Sequence, residues 1–229
     1  MMLQLLGLNY NMNLFITGIG TNVGKTVVSA VLTEALQADY WKPIQSGVLE
    51  GKDSDTVKSL ISNSETIIHP ETYLLKQPLS PHFAAKIDGI EIELDKIQSQ
   101  FVRISLSLRA ESRSEVRHLI IEGAGGLLVP INNTHYVIDI AKQLDCEIVL
   151  VISNYLGCIN HSLLSIDYLK RNHFKINALV FNGEFESEVK QSIINYSSES
   201  KIIDISTLNS LNKQHIFEIA TTIKAQNTL

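Results

Sequence analysis

The segment Gly18-Ile19-Gly20-Thr21-Asn22-Val23-Gly24-Lys25-Thr26 sets the strongest limit on what this chain can fold into. It follows a short β-rich run, Asn13 to Thr17. It precedes Val27 to Ala38, where Val28, Val31, Leu32, Ala35 and Leu36 recur at helical spacing. Strand, glycine-rich turn and helix in that order form a phosphate-binding loop. Glycines let the backbone turn and bring its N–H groups close to phosphate oxygens. The helix amino end adds further N–H groups and its dipole. Lys25 is then placed to meet the β- and γ-phosphates, and the Thr26 hydroxyl to ligand Mg²⁺. The spacing departs from strict G-x-x-x-x-G-K-[ST]: Gly18 comes one residue early and Ile19 stands where that glycine belongs.

The rest of the chain alternates strands with helices. Strands are expected at Tyr40 to Ile44 (broken by Pro43), His118 to Glu122, Glu147 to Ser153, Ile176 to Phe181 and Lys201 to Ile205. Helices are expected at Asn160 to Lys170 and Gln214 to Ala225. Near-continuous apolar strands in such an alternation indicate an α/β fold of the P-loop NTPase type, a parallel central sheet with helices on both faces. The middle, Gly47 to Arg117, is less regular and reads as substrate loops. The length of 229 residues suits a single domain over 13–229, with Met1 to Asn11 as an extension and Met12 as an equal candidate start. A net charge of −5 leaves no basic footprint for nucleic acid or an anionic membrane. No apolar run approaches the roughly 20 residues of a membrane span. Two cysteines, Cys146 and Cys158, make no disulfide framework and suit a reducing cytoplasm.

Two acidic segments extend the loop's chemistry. Asp53 and Asp55 either begin a helix or bind metal. Glu122 ends a strand directly before Gly123-Ala124-Gly125-Gly126, and a carboxylate there points into the crevice where α/β sheets bind ligands. Thr26, Asp55 and Glu122 together make a hard, oxygen-rich Mg²⁺ site.

Further segments occur in a telling order: Trp41-Lys42-Pro43-Ile44-Gln45-Ser46-Gly47, Asp53-Ser54-Asp55, Ser80-Pro81-His82, Glu122 to Gly126, and Leu156-Gly157-Cys158-Ile159-Asn160-His161. With the phosphate loop, they resemble the dethiobiotin synthetases from about Asn13 to Asn182. The resemblance implies ATP- and Mg²⁺-dependent closure of a cyclic urea. 7,8-Diaminononanoate takes up CO₂ as a carbamate, ATP converts this to a carbamic–phosphoric anhydride, and the second amine closes the ring.

It also implies residue roles. Lys25 and Lys42 would neutralise the meeting anions. ATP would contact Asn22, Val23, Gly24, Lys25, Thr26, Val27, Asp55, Glu122, Gly123, Ala124, Gly125, Asn182 and Gly183, with Asn182 on the adenine. Substrate would contact Thr21, Ser46, Gly125, Gly157, Cys158 and Asn160, with His82 as a further lining candidate. The long substrate tail would cross the two-fold interface of a homodimer to the Gly157–Asn160 segment of the other subunit. Asn22 stands where some members carry Glu, Asn182-Gly183 where the family has Asn-Asp, and Ser206, Thr207 and Leu208 align only loosely with the purine loop.

Three other readings compete. A partition-type ATPase commonly carries an early second lysine in the loop, where this chain has Ile19 and Gly20. A cobyrinate-type amide synthetase needs an ammonia source, for which this length leaves no room. The third is a non-catalytic nucleotide-binding module.

Overall fold

The computed structural model describes residues 12–110, 118–197, 200–207 and 210–226. The expected extension, Met1 to Asn11, and Leu208 of the purine loop lie outside them. The strands are β1 (Asn13–Gly18), β2 (Asp39–Trp41), β3 (Ile44–Ser46), β4 (Ile68–His69), β5 (Tyr73–Leu75), β6 (Leu119–Gly126), β7 (Glu147–Ser153), β8 (Ile176–Asn182) and β9 (Lys201–Ile205). The helices are α1 (Lys25–Leu36), α2 (Asp53–Leu60), α3 (Pro81–Asp88), α4 (Leu94–Ala110), α5 (Val137–Gln143), α6 (Cys158–Arg171), α7 (Ser187–Ser197) and α8 (Lys213–Ala225).

Seven strands form one parallel sheet in the order β4-β2-β6-β1-β7-β8-β9. Side chains alternate across each strand, so β1 feeds two cores. Leu14 and Ile16 pack with Val28, Val31 and Leu32 of α1, Val57 and Leu60 of α2, and Ile216 and Ile223 of α8. Phe15, on the opposite face, packs with residues of α3 to α7, among them Ala84, Phe101, Val137, Ile166 and Ile193. The expected parallel sheet with helices on both faces is therefore present.

Two sequence expectations change. The run Tyr40 to Ile44 is not one strand. The chain leaves the main sheet after Trp41, and β3 pairs in parallel with β5 as a separate two-stranded sheet. Pro43 lacks the N–H that would continue a ladder, so the break falls at Lys42-Pro43. The middle of the chain is also more regular than expected. It holds α2, α3 and the 17-residue α4, whose Ile97, Phe101 and Ile104 are buried at helical spacing.

A buried carboxylate ties the α1 layer to the turn after α2. Glu34 on α1 accepts from the Ser62 N–H at 2.8 Å, the Ser62 hydroxyl at 2.6 Å, and the Asn63 N–H and amide at 3.2 and 2.9 Å. Burial opposes its charge, but these donors outweigh it and hold the carboxyl below its ordinary value. Hydrogen bonds to charged groups are each worth about 1.5–3 kcal/mol, so Glu34→Gln is expected to lower unfolding stability by about 2 kcal/mol at neutral pH. The native value is depressed. The contribution is therefore complete above the unfolded glutamate value and fades as pH falls through the native one. Denaturant unfolding of both proteins from neutral to acid pH checks this: the difference between them should shrink toward acid.

Candidate active site

The carboxyl ends of β1, β2 and β6 open into a cavity of about 880 Å³, the crevice position expected for a parallel sheet. Its floor is the turn between β1 and α1. Gly24 caps α1 in a left-handed conformation (φ 92°), and a Cβ there would stand 2.0 Å from the Asn182 amide nitrogen. Only glycine fits so close an approach. Asn22 is also left-handed (φ 59°), a region that asparagine enters far more readily than glutamate. Lys25 curls over the loop and donates to the Gly20 carbonyl at 3.1 Å. Burial pulls its ammonium down to about 8, against Glu122 and with help from Lys42.

A buried charge cluster lies beside the loop. Glu122, 1% exposed, accepts on Oε1 from the Thr26 hydroxyl at 3.0 Å and the Lys42 ammonium at 2.9 Å, and on Oε2 from the Tyr40 hydroxyl at 2.9 Å. Lys42 also pairs with Asp53. Burial alone would lower the Lys42 ammonium, but Glu122 and Asp53 overcome it and hold the group above its ordinary value. Gln45 supports the arrangement by accepting the Asp53 N–H at 3.0 Å. Ser46 borders the same cavity, and its hydroxyl is enclosed without a hydrogen-bond partner among the described residues.

The cavity brings together Thr21, Asn22, Gly24, Lys25, Thr26, Lys42, Ser46, Glu122, Ala124 and Gly125 of the expected site residues. Asp55 is not among them. Its side chain is 67% exposed and faces Lys52 at 3.4 Å, while Asp53 and Thr56 line the cavity. At about 100° per residue, a helical position two beyond Asp53 points about 200° away. The carboxylate that this helix turns toward Lys42 and Glu122 is Asp53. Among the described residues no three His, Cys, Asp or Glu side chains form a self-sufficient metal cluster. The hard donors here are the Thr26 hydroxyl and the Glu122 and Asp53 carboxylates. That set suits a cation completing its shell with phosphate and water.

The other expected residues are not in the lining of this cavity. Val23 is buried and Val27 sits in the first turn of α1. Gly123 backs onto the core, where a Cβ would meet the Phe15 ring at 3.0 Å. Asn182 donates from its amide to the Val23 carbonyl at 3.0 Å, tying the end of β8 to the phosphate loop. The neighbouring Gly183 N–H bonds Ile205 at the end of β9. Gly157, left-handed at φ 107°, caps α6, with Cys158 buried and Asn160 exposed. His82 is exposed on α3, whose Pro81 borders the cavity. Sequence reasoning missed Tyr40 and Gln45. The Gln45 contact needs the turn between β3 and α2. The Tyr40 contact needs the β2–β6 register, set by residues 80 positions apart.

Comparison with known proteins bears on what this cavity belongs to. Residues 12–215 match the AAA domain family. A ParA family ATPase from Chlorobium tepidum superposes with a TM-score of 0.55 at 12% identity, covering 92% of this chain and 98% of its own, a likeness of fold alone. Sequence relatives are more specific. The ATP-dependent dethiobiotin synthetase BioD of Cytophaga hutchinsonii is 44% identical over 200 residues, covering 87% of this chain and 91% of its own. The enzyme of the same name from Christiangramia forsetii is 43% identical over 189 residues, covering 82% and 84%. Identity of this order, sustained over most of both chains, settles the lineage: the chain belongs to the dethiobiotin synthetase family.

Proposed function

We propose that this chain uses ATP and Mg²⁺ to convert 7,8-diaminononanoate and CO₂ into dethiobiotin, ADP and phosphate. The observation that carries the reading is the gathering of two buried lysines, Lys25 and Lys42, in one cavity with the Thr26–Glu122 pair beside the phosphate loop, Lys42 bonded to Glu122 and Lys25 to the Gly20 carbonyl. One substrate amine attacks CO₂, forming an N–C bond and losing a proton. A carbamate oxygen then attacks the γ-phosphorus, and the bond to the β,γ-bridging oxygen breaks with release of ADP. The second amine attacks the carbonyl carbon, and the C–O bond to phosphate breaks as the ring closes.

The phosphorylation step brings two anions together, so the chain's task is positioning and charge neutralisation. Lys25 holds the β- and γ-phosphates, and Lys42 reaches the carbamate and the transferring phosphoryl group. Ser46 donates its free hydroxyl to the substrate, and Thr21 and Gly125 border the reacting end. Thr26, Glu122 and Asp53 would hold Mg²⁺ together with the nucleotide. The bound ion would supply a positive charge against the phosphate oxygens. Asn182 and Gly183, beside the loop at the end of β8, border the adenine. The working form is a homodimer in a reducing cytoplasm, where Cys146 and Cys158 stay free.

Phosphate release from ATP tests the reading: it should require the diamine and bicarbonate together. Release indifferent to both would point to a plain ATPase. Within this scheme Glu122→Gln removes a ligand charge and should lower turnover by at least about tenfold, roughly 1.4 kcal/mol of barrier. Unchanged turnover in the folded variant would take Glu122 out of the site.

A further inference from the structure

We infer that Tyr40 is a positioning residue for the reaction: its buried hydroxyl holds Glu122 by one oxygen, so that the other faces Thr26, Lys42 and the cation. The inference rests on the proposed metal role of Glu122.

The sheet register brings the two side chains together. β2 runs parallel to β6 with Tyr40 opposite Ile120. Alternation then puts Tyr40, Ile120 and Glu122 on one face of the sheet, the face covered by α1, and Trp41 on the other. Tyr40 is fully buried, and its hydroxyl donates to Glu122 Oε2 at 2.9 Å. Among the described residues, the other donors to Glu122, the Thr26 hydroxyl and the Lys42 ammonium, use Oε1.

Tyr40 therefore divides the carboxylate's labour. Without its hydroxyl, Oε2 would have no hydrogen bond from the described residues, and the carboxyl group could turn and exchange its two oxygens. Outer-sphere partners of metal-binding groups typically contribute 10- to 100-fold in metal affinity. A hydroxyl that merely satisfied a buried core carboxylate would influence folding alone.

The test is Mn²⁺ binding, in place of Mg²⁺, to the ADP-saturated enzyme. Free Mn²⁺ is followed by electron paramagnetic resonance, with a protein-free ADP control. Tyr40→Phe keeps the ring and removes only the hydroxyl. It should raise the Mn²⁺ dissociation constant about tenfold, and Glu122→Gln should raise it further. Misfolding would reduce the number of sites, not their affinity, so unchanged stoichiometry separates the two effects. In turnover, the apparent Mg²⁺ requirement of Tyr40→Phe should rise about tenfold while kcat at saturating Mg²⁺ stays within about twofold of wild type. If Glu122→Gln weakens Mn²⁺ binding and Tyr40→Phe leaves it unchanged, the positioning role is wrong. If Glu122→Gln also leaves it unchanged, Glu122 is not a metal ligand and both readings fall.

Discussion

Lys42→Gln should lower kcat by roughly 10²- to 10³-fold, about 3–4 kcal/mol of barrier, with little change in nucleotide affinity. The side chain keeps much of its length and some hydrogen bonding but loses its charge. Lys42 is 5% exposed, so water screens it poorly, and its charge would act at full strength on the carbamate and γ-phosphate proposed to meet beside it. Nucleotide affinity is proposed to rest instead on the loop amides, Lys25 and the α1 amino end. The variant also leaves Glu122 and Asp53 without their shared cation, and breaking a buried pair from one side costs about 3–5 kcal/mol of stability. Turnover must therefore be expressed per ADP-binding site. A change confined to the KM for the diamine would make Lys42 a binding residue.

Mixing Lys42→Ala with Asn160→Ala subunits should restore activity that neither variant has alone. Substrate amines and carboxylate lie at opposite ends of an aliphatic chain, while Lys42 and the phosphate loop share one cavity. Asn160 is exposed near the α6 amino end and does not border that cavity. Helix-opening N–H groups with the Asn160 amide make a carboxylate site, here proposed to serve the partner's active site across a two-fold interface. With free exchange half of the dimers are mixed, and each has one undamaged site in two. Activity should therefore approach about a quarter of wild type. No recovery despite confirmed exchange would mean that each chain completes its own site.

Local sequence carried the parts of this account that depend on local order. Strand, turn and helix around Gly18–Thr26 are contiguous, so their spacing alone located the phosphate loop. The place of Glu122 beside the crevice was legible from the glycines that follow it, but the strand does not end there as expected: β6 runs on to Gly126, and Glu122 lies inside it. What escaped depends on distant or angular relations. The choice between Asp53 and Asp55 turns on where α2 begins, because each residue rotates the side chain by about 100°. The Tyr40–Glu122 contact depends on β2 lying beside β6 in one register. The α4 helix was within reach of the sequence, because Ile97, Phe101 and Ile104 recur at helical spacing; Pro70, Pro78 and Pro81 before it turned the reading of the whole segment toward loops.

The most direct test of the central claim is mass spectrometry of the products formed from ATP, Mg²⁺, 7,8-diaminononanoate and ¹³C-bicarbonate. The account predicts dethiobiotin carrying the heavy carbon in its ring carbonyl, formed in equal amount with inorganic phosphate. ATP hydrolysis without labelled dethiobiotin would contradict it.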